Sequence, residues 1–320
     1  MNEMDHIDRK QLIVAFIAVI LLTGLFSYSY HNKNLTPKTE PVAVIEELKP
    51  NPFENLEIQA GAVYIFDINN KKPLYAVNAE TQLPLTSLTK VMTAVIAREI
   101  APKNTIVTIQ PEAIREEGDS GLLAGERWNL SDILDLTLVA SSNDGAKAVA
   151  SAISAFGFIE LAKSTTTNTV ISQEDFFISK MNQKAKEIGM VQTFFLNESG
   201  LDNSDYLSGS YGSAKDMAVL FAYVLKNYPD VFPATSQAKI KVNSLDNIVH
   251  TAKNTNEAVG RIPSLVASKT GFTDLANGNL VVAFEAGPMR PIIVAVLGSG
   301  IDTRFEDVEK LVWASIKSLQ

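Results

Sequence analysis

The 320-residue sequence has no cysteine and only three histidines. Without cysteine there is no disulfide, no thiolate metal site, no cysteine nucleophile and no lipid anchor on cysteine. The redox compartment stays open, because a protein outside the cytoplasm need not use disulfides. His6 and His31 flank a hydrophobic N-terminal segment, which leaves His250 alone for the globular part. A histidine-rich zinc site is excluded, and a Ser-His-Asp triad would have to depend on that one residue. Basic charge is also in short supply. The 28 Lys and Arg stand against 36 Asp and Glu, a net charge of −8, which argues against nucleic acid as the main partner. No internal repeat is visible.

Apolar content is plentiful. At 46% hydrophobic residues the chain has ample material for a large core and one or two domains. Leu12 to Phe26 is apolar and uncharged, and the run extends to Tyr30. Its length falls between a signal-peptide core of about 7–15 residues and a spanning helix of about 20. Arg9 and Lys10 precede it, although Lys33 and Lys38 reduce the charge asymmetry, and Tyr28 and Tyr30 suit an interfacial belt. Ser27-Tyr28-Ser29 is a poor small-x-small cleavage site. The expected organisation is therefore a cytoplasmic N-terminus over 1–11 and an uncleaved, single-pass signal-anchor over 12–30, with secretion after cleavage as the alternative. Either exports the rest. Residues 31–54 contain Pro37, Pro41, Pro50 and Pro52 among polar and acidic residues. That composition reads as an extended tether reaching on the order of 80 Å.

The remaining domain, 55–320, begins with a hairpin: strands at Ala62–Ile68 and Pro73–Val77 around the turn Asn69-Asn70-Lys71-Lys72. A helix is predicted from near Ser87, with Val91, Met92, Val95 and Ile96 at helical spacing. The middle, about 110–235, reads as mostly helical, with apolar faces on Leu130–Ala150, Phe176–Gly189 and Ser213–Asn227. Asn279–Glu285 and Pro291–Leu297 form a second hairpin. A final helix places Phe305, Val308, Leu311, Val312 and Ile316 on one stripe. It carries few basic residues, so packing on the sheet is expected rather than lying on a membrane. Strands at both ends of a helical middle predict an α+β domain with a helical insertion.

Three short strings carry chemistry. Serine is a poor nucleophile until a base within hydrogen-bond reach removes its proton. In Ser87-Leu88-Thr89-Lys90 the serine and lysine lie three residues apart on one helical face. The apolar residues that follow Lys90 would desolvate its amine and favour the neutral, basic form. Ser141-Ser142-Asn143 offers a hydroxyl to relay protons and an amide to hold substrate. Lys269-Thr270-Gly271 precedes the strand-rich end. On an edge strand, Lys and Thr would bind an anionic group while Gly lets a substrate backbone approach. Each string alone fits a cap, a turn or a solvated strand end. Together they form the ordered S-x-x-K, S-x-N, K-T-G set of penicillin-recognising serine enzymes.

Longer stretches extend the likeness: Leu83–Ala94, Gly121–Glu126, Asn197–Asp202, Ser213–Met217, Asn254–Asn256 and Lys269–Asp274. Over about 57–320 the chain resembles the low-molecular-mass penicillin-binding proteins, the D-alanyl-D-alanine carboxypeptidase family of serine peptidases. The resemblance implies a β-lactamase/transpeptidase-like fold, an antiparallel sheet flanked by helices with a mostly helical subdomain. It implies Ser87 as nucleophile, Lys90 as base, and Ser141 and Asn143 in proton transfer and alignment. Lys269 and Thr270 would receive a terminal carboxylate, and the backbone N–H groups of Ser87 and Phe272 would form the oxyanion hole. No cofactor or metal is implied. The expected partners are peptidoglycan stem peptides, β-lactam antibiotics as acylating inhibitors, and the membrane through the N-terminal segment.

Ala267-Ser268 departs from the Gly-containing pair usual before K-T-G, and Lys163–Asp175 reads as an enlarged surface loop. The family's common C-terminal β-domain and membrane anchor find no match, so the N-terminal segment is expected to take over tethering. Gly118-Asp119-Ser120-Gly121 imitates the trypsin-like nucleophile motif, but no histidine lies between it and the tether, and it reads as a turn. The expected function is D-alanyl-D-alanine carboxypeptidase. The alternatives are a D-Ala endopeptidase on cross-links, a β-lactamase (though no Glu-x-x-x-Asn loop is present) and an inactive peptidoglycan-binding module.

Overall fold

The computed structural model describes residues 9–33, 51–164 and 172–320, in two units, Met1–Lys49 and Pro50–Gln320. In the first unit a single helix is described, α1 (Arg9–Lys33). It is long and apolar enough to cross a membrane, a property shared by anchors and signal sequences. Most of the expected tether lies outside the described residues, as does 165–171 of the expected surface loop.

The second unit opens with β1 (Ala62–Asp67), β2 (Lys72–Val77) and β3 (Leu83–Pro84), then a 3-10 turn at Thr86–Leu88 that runs into α2 (Thr89–Ile100). Next come β4 (Ile106–Thr108), β5 (Arg127–Asn129), α3 (Leu130–Val139), α4 (Asn143–Ser164) and α5 (Gln173–Glu187). After β6 (Phe194–Phe195) and β7 (Ser210–Gly212) the chain forms α6 (Ala214–Asn227) and a hairpin, β8 (Lys239–Asn243) with β9 (Val249–Lys253). It ends with β10 (Leu265–Thr273), β11 (Asn277–Glu285), β12 (Pro291–Ser299) and α7 (Thr303–Ser318).

The main sheet is antiparallel, in the order β10-β11-β12-β1-β2. Period-two alternation divides its side chains between two cores. Val63, Ile65, Val282, Ile292, Val294 and Val296 pack with Phe305, Val308, Leu311 and Val312 of α7. Tyr64, Val281, Ile293 and Leu297 face a larger core built from α2, α3, α6 and Trp128. Full burial of each such side chain contributes roughly 1.5–3 kcal/mol. The expected α+β architecture and the packing of the last helix on the sheet are both present.

The apolar stretch Leu130–Ala150 is not one helix. Ser141 takes φ +59, in the left-handed region, which interrupts propagation between α3 and α4. Ser142 then caps α4, its Oγ accepting from Gly145 N–H at 2.9 Å. The break turns Ser141 and Asn143 toward the sheet edge and the start of α2.

Candidate active site

The site sits where α2, the α3–α4 break and edge strand β10 meet. Ser87 occupies the 3-10 turn, and the first turn of α2 carries Lys90. Lys90 is fully buried, and its Nζ lies 2.8 Å from Ser87 Oγ, 2.6 Å from Asn143 Oδ1 and 2.8 Å from Ser199 O. Burial lowers its pKa to about 7, against the opposing pull of Glu198 and Glu116. A neutral amine has two N–H donors and one lone pair. Asn143 Oδ1 and Ser199 O are pure acceptors and use both donors. When protonated, Nζ also donates to Ser87 Oγ; when neutral, its lone pair is left to accept the Ser87 proton. The Asn143 amide is held in this sense because its Nδ2 donates to Glu117 O at 2.6 Å.

The second group is centred on Lys269, also fully buried on β10. Its Nζ donates to Ser141 Oγ at 2.8 Å and to Thr270 O at 2.9 Å. Burial, and then the nearby Lys90 and Arg304 cations, hold its pKa well below the ordinary lysine value. Thr270 Oγ1 pairs with Thr255 Oγ1 at 2.5 Å. Ser268, in the unusual pair before Lys269, is anchored by Thr235 through its N–H (3.1 Å) and its Oγ (2.8 Å).

At Gly271 a Cβ would lie 1.9 Å from Thr86 Oγ1 and 3.0 Å from Leu85 O, so the glycine lets the protein's own turn come close. Thr86 itself is a β-branched residue at φ +53, an uncommon conformation for its type. On its other side, a Cβ on Gly200 would lie 1.9 Å from Thr86 O. Two glycines therefore let β10 and residue 200 close on the residue preceding Ser87.

A cleft of about 700 Å³ opens over Ser87, with Thr86, Asn143, Gly200 and Phe272 among its walls. Its rim carries Glu117, Asp202, Asp205 and Asp274. Thus Ser87, Lys90 and Asn143 form one bonded group, Ser141, Lys269 and Thr270 another, and Phe272 lines the cleft. His250 is elsewhere: it bonds Glu126 Oε1 at 2.7 Å and packs against Trp128. Ser120 of the trypsin-like string bonds Ser142 Oγ (2.6 Å) and Asp144 Oδ2 (2.9 Å), while Asp119 Oδ1 accepts from Gly121 N–H in the expected turn. Among the described residues no cluster of His, Cys, Asp and Glu is arranged to hold a metal ion.

Sequence reasoning assigned no role to Thr86, Glu198, Ser199, Thr255 or Arg304. Arg304 donates from Nη1 to Gly271 O at 2.8 Å. Thr86, Glu198, Ser199 and Thr255 stand in stretches that carry the resemblance, which is the available signal. Arg304, on α7, had none.

Comparison with known proteins bears on the same region. Residues 48–300 match the model of a peptidase family described as D-alanyl-D-alanine carboxypeptidase. D-alanyl-D-alanine carboxypeptidase DacF of Bacillus subtilis is 28% identical over 260 residues, 79% of this chain and 61% of that one. The D-alanyl-D-alanine endopeptidase of Escherichia coli is 26% identical over 278 residues, 85% of this chain and 82% of that one. Among solved structures, penicillin-binding protein D2 of Listeria monocytogenes in its ampicillin-bound form gives a TM-score of 0.63 at 26% identity, over 81% of this chain and 98% of that one. The chain spans about three fifths of the Bacillus carboxypeptidase.

Proposed function

The chain belongs to this D-alanyl-D-alanine carboxypeptidase family, and from that premise we propose that it removes the terminal D-alanine from peptidoglycan stem peptides through an acyl-enzyme on Ser87. Neutral Lys90 takes the Ser87 proton as Oγ attacks the carbonyl of the penultimate D-alanine. The N–H groups of Ser87 and Phe272 receive the developing oxyanion. The protonated Lys90, relayed through Ser141, returns the proton to the departing amine. Asn143 aligns the peptide, and Lys269 and Thr270 hold its terminal carboxylate. Water then attacks the ester and frees Ser87. A β-lactam enters the same step and stays as the acyl adduct.

The observation that carries this reading is the buried Lys90 Nζ at 2.8 Å from Ser87 Oγ, with a pKa near neutrality and its two other partners able only to accept. The test incubates the full chain with a pentapeptide ending in D-Ala-D-Ala. Wild-type protein releases D-alanine and Ser87→Ala does not; equal release by both would refute the proposal.

A second reading, cleavage of D-Ala cross-links, is supported by the likeness to the Escherichia coli endopeptidase, 26% identical over 278 residues. Digestion of cross-linked muropeptides separates the two: monomers released from dimers mark an endopeptidase. We place the domain outside the cytoplasmic membrane, tethered by α1 as an uncleaved anchor. Membrane fractionation and N-terminal sequencing of the mature protein test this.

A further inference from the structure

Two cavities are lined by residues that bond Lys90 or act on its charge. One is the cleft over Ser87. The other, about 410 Å³, has Gln110, Glu112, Lys147, Ser154, Phe177 and Glu198 among its walls and shares no wall residue with the cleft. Within it the Glu198 carboxylate, almost fully buried, lies 3.5 Å from Lys147 Nζ.

Glu198 is tied to the face of α2 that carries Lys90. Its carbonyl accepts from Thr93 Oγ1 at 2.6 Å, three residues along the helix from Lys90, and the next carbonyl, of Ser199, accepts from Lys90 itself at 2.8 Å. These bonds fix the backbone of Glu198 beside α2, while its carboxylate is held on the cavity side by Lys147. Though not in contact with Lys90, the buried Glu198 carboxylate favours its protonated form. A lysine kept protonated is no base for Ser87. Lys147, whose side chain is a quarter exposed, supplies an opposing charge on the cavity side.

We propose that the Glu198–Lys147 ion pair is a positioning element for acyl transfer at Ser87: Glu198 fixes the place and charge of Lys90, and Lys147 limits how strongly Glu198 holds Lys90 in its protonated form. This rests on the acyl-transfer reading above. Among the described residues, charged groups that act on Lys90 also include Glu116, in the segment before β5, and Lys269 on β10, itself acted on by Arg304 of α7. Glu117 lines the cleft, and Glu112 shares the second cavity with Glu198.

The two members of the pair act on Lys90 with opposite sign, which separates a charge effect from a structural one. The experiment measures the acylation rate of the full chain in detergent micelles by fluorescent penicillin across about pH 5–9 and takes the midpoint of the acid limb. Glu198→Gln lowers that midpoint by about one pH unit, which is roughly tenfold in rate on the acid side. Lys147→Met raises it, and Glu198→Asp keeps it near wild type. An unmoved midpoint in Glu198→Gln, or shifts of the same sign in both charge-removing variants, overturns the inference. If Glu198→Gln does not fold, Lys147→Met decides: an upward shift supports the pair and an unmoved midpoint overturns it. Wild-type protein that takes no label at any pH, or Ser87→Ala labelled as well as wild type, defeats the acyl-transfer reading as well. A labelled wild type with unmoved variants defeats this inference alone.

Discussion

The cleft has two walls, each centred on a fully buried lysine, and the two lysines are differently equipped. On the helical wall Lys90 has carboxylates at a distance (Glu198 and Glu116) and a hydroxyl, an amide oxygen and a carbonyl in contact. On the strand wall Lys269 has two neutral acceptors in contact and cations, Lys90 and Arg304, as its charged neighbours. Desolvation acts on both. Lys90 keeps just enough negative surroundings to sit at the edge of protonation. Lys269 is short of negative charge and gains most from an incoming anion. Burial alone does not give a lysine its task; the neighbours do. The helical wall is fitted for moving a proton and the strand wall for receiving substrate charge.

The largest effect should come from removing each lysine in turn. Lys90→Met is expected to slow acylation by penicillin about 10³-fold, the usual scale for loss of a general base. Lys269→Met should cost about 10–100-fold in kcat/KM for a peptide with a free terminal carboxylate, the worth of a hydrogen bond to a charged group. The same peptide amidated at its C-terminus should lose much less. Equal losses on both peptides would erase the distinction between the walls.

A smaller effect tests how the walls are joined. Gly271→Ala should destabilise the folded chain by about 1–3 kcal/mol in chemical denaturation, because its methyl group overlaps Thr86. Combined with Thr86→Ala, part of that loss should return, since the sites touch and their effects are not additive. Full additivity would mean that the contact is not where the cost arises.

The smallest effect concerns pH and stability. The Lys90 pKa lies at about 7 in the folded chain against an ordinary 10.5, so between those values the unfolded chain holds more protons and stability rises with pH. Asp135 on α3 slopes the other way. Burial first, then Asp132 and Asp230, raise it to about 7, so its contribution falls as pH rises from near 4 toward 7. The dependence of Tm on pH in Lys90→Met should therefore be shallower than wild type on the alkaline side of pH 7, where Lys269 keeps part of the slope, and unchanged on the acid side. Flattening on both sides would point to a general loss of structure.

Much of this arrangement was legible in the sequence where chemistry is local. Ser87 and Lys90 lie three residues apart, and a helix alone brings them together. The apolar run after Lys90 foretold its burial, and the stripe from Phe305 to Ile316 foretold the packing of α7. Other features depend on contacts between distant segments. The break at Ser141 hides inside a good helical pattern, because a serine at positive φ leaves no compositional mark. Composition does not reveal that Gly271 meets Thr86, nearly two hundred positions earlier. The β8–β9 hairpin carries a signal in the alternation of Lys239–Asn243 and Val249–Lys253, weaker than the helical periods around it. Arg304 reaches the site only because α7 folds back over the sheet.

The order of the main sheet bears on how such a chain comes into being. β1, residues 62–67, is completed by β12, residues 291–299, along its whole length. During synthesis this early strand has to wait, with one edge unpaired, for more than two hundred further residues, a separation that slows folding and prolongs exposure to aggregation and proteolysis. The start of α2 can coil early, so Ser87 and Lys90 can meet in a chain that still lacks β10. A nascent chain is thus expected to be chemically silent until its last strands arrive, and then to gain its sheet and its reactivity in one step.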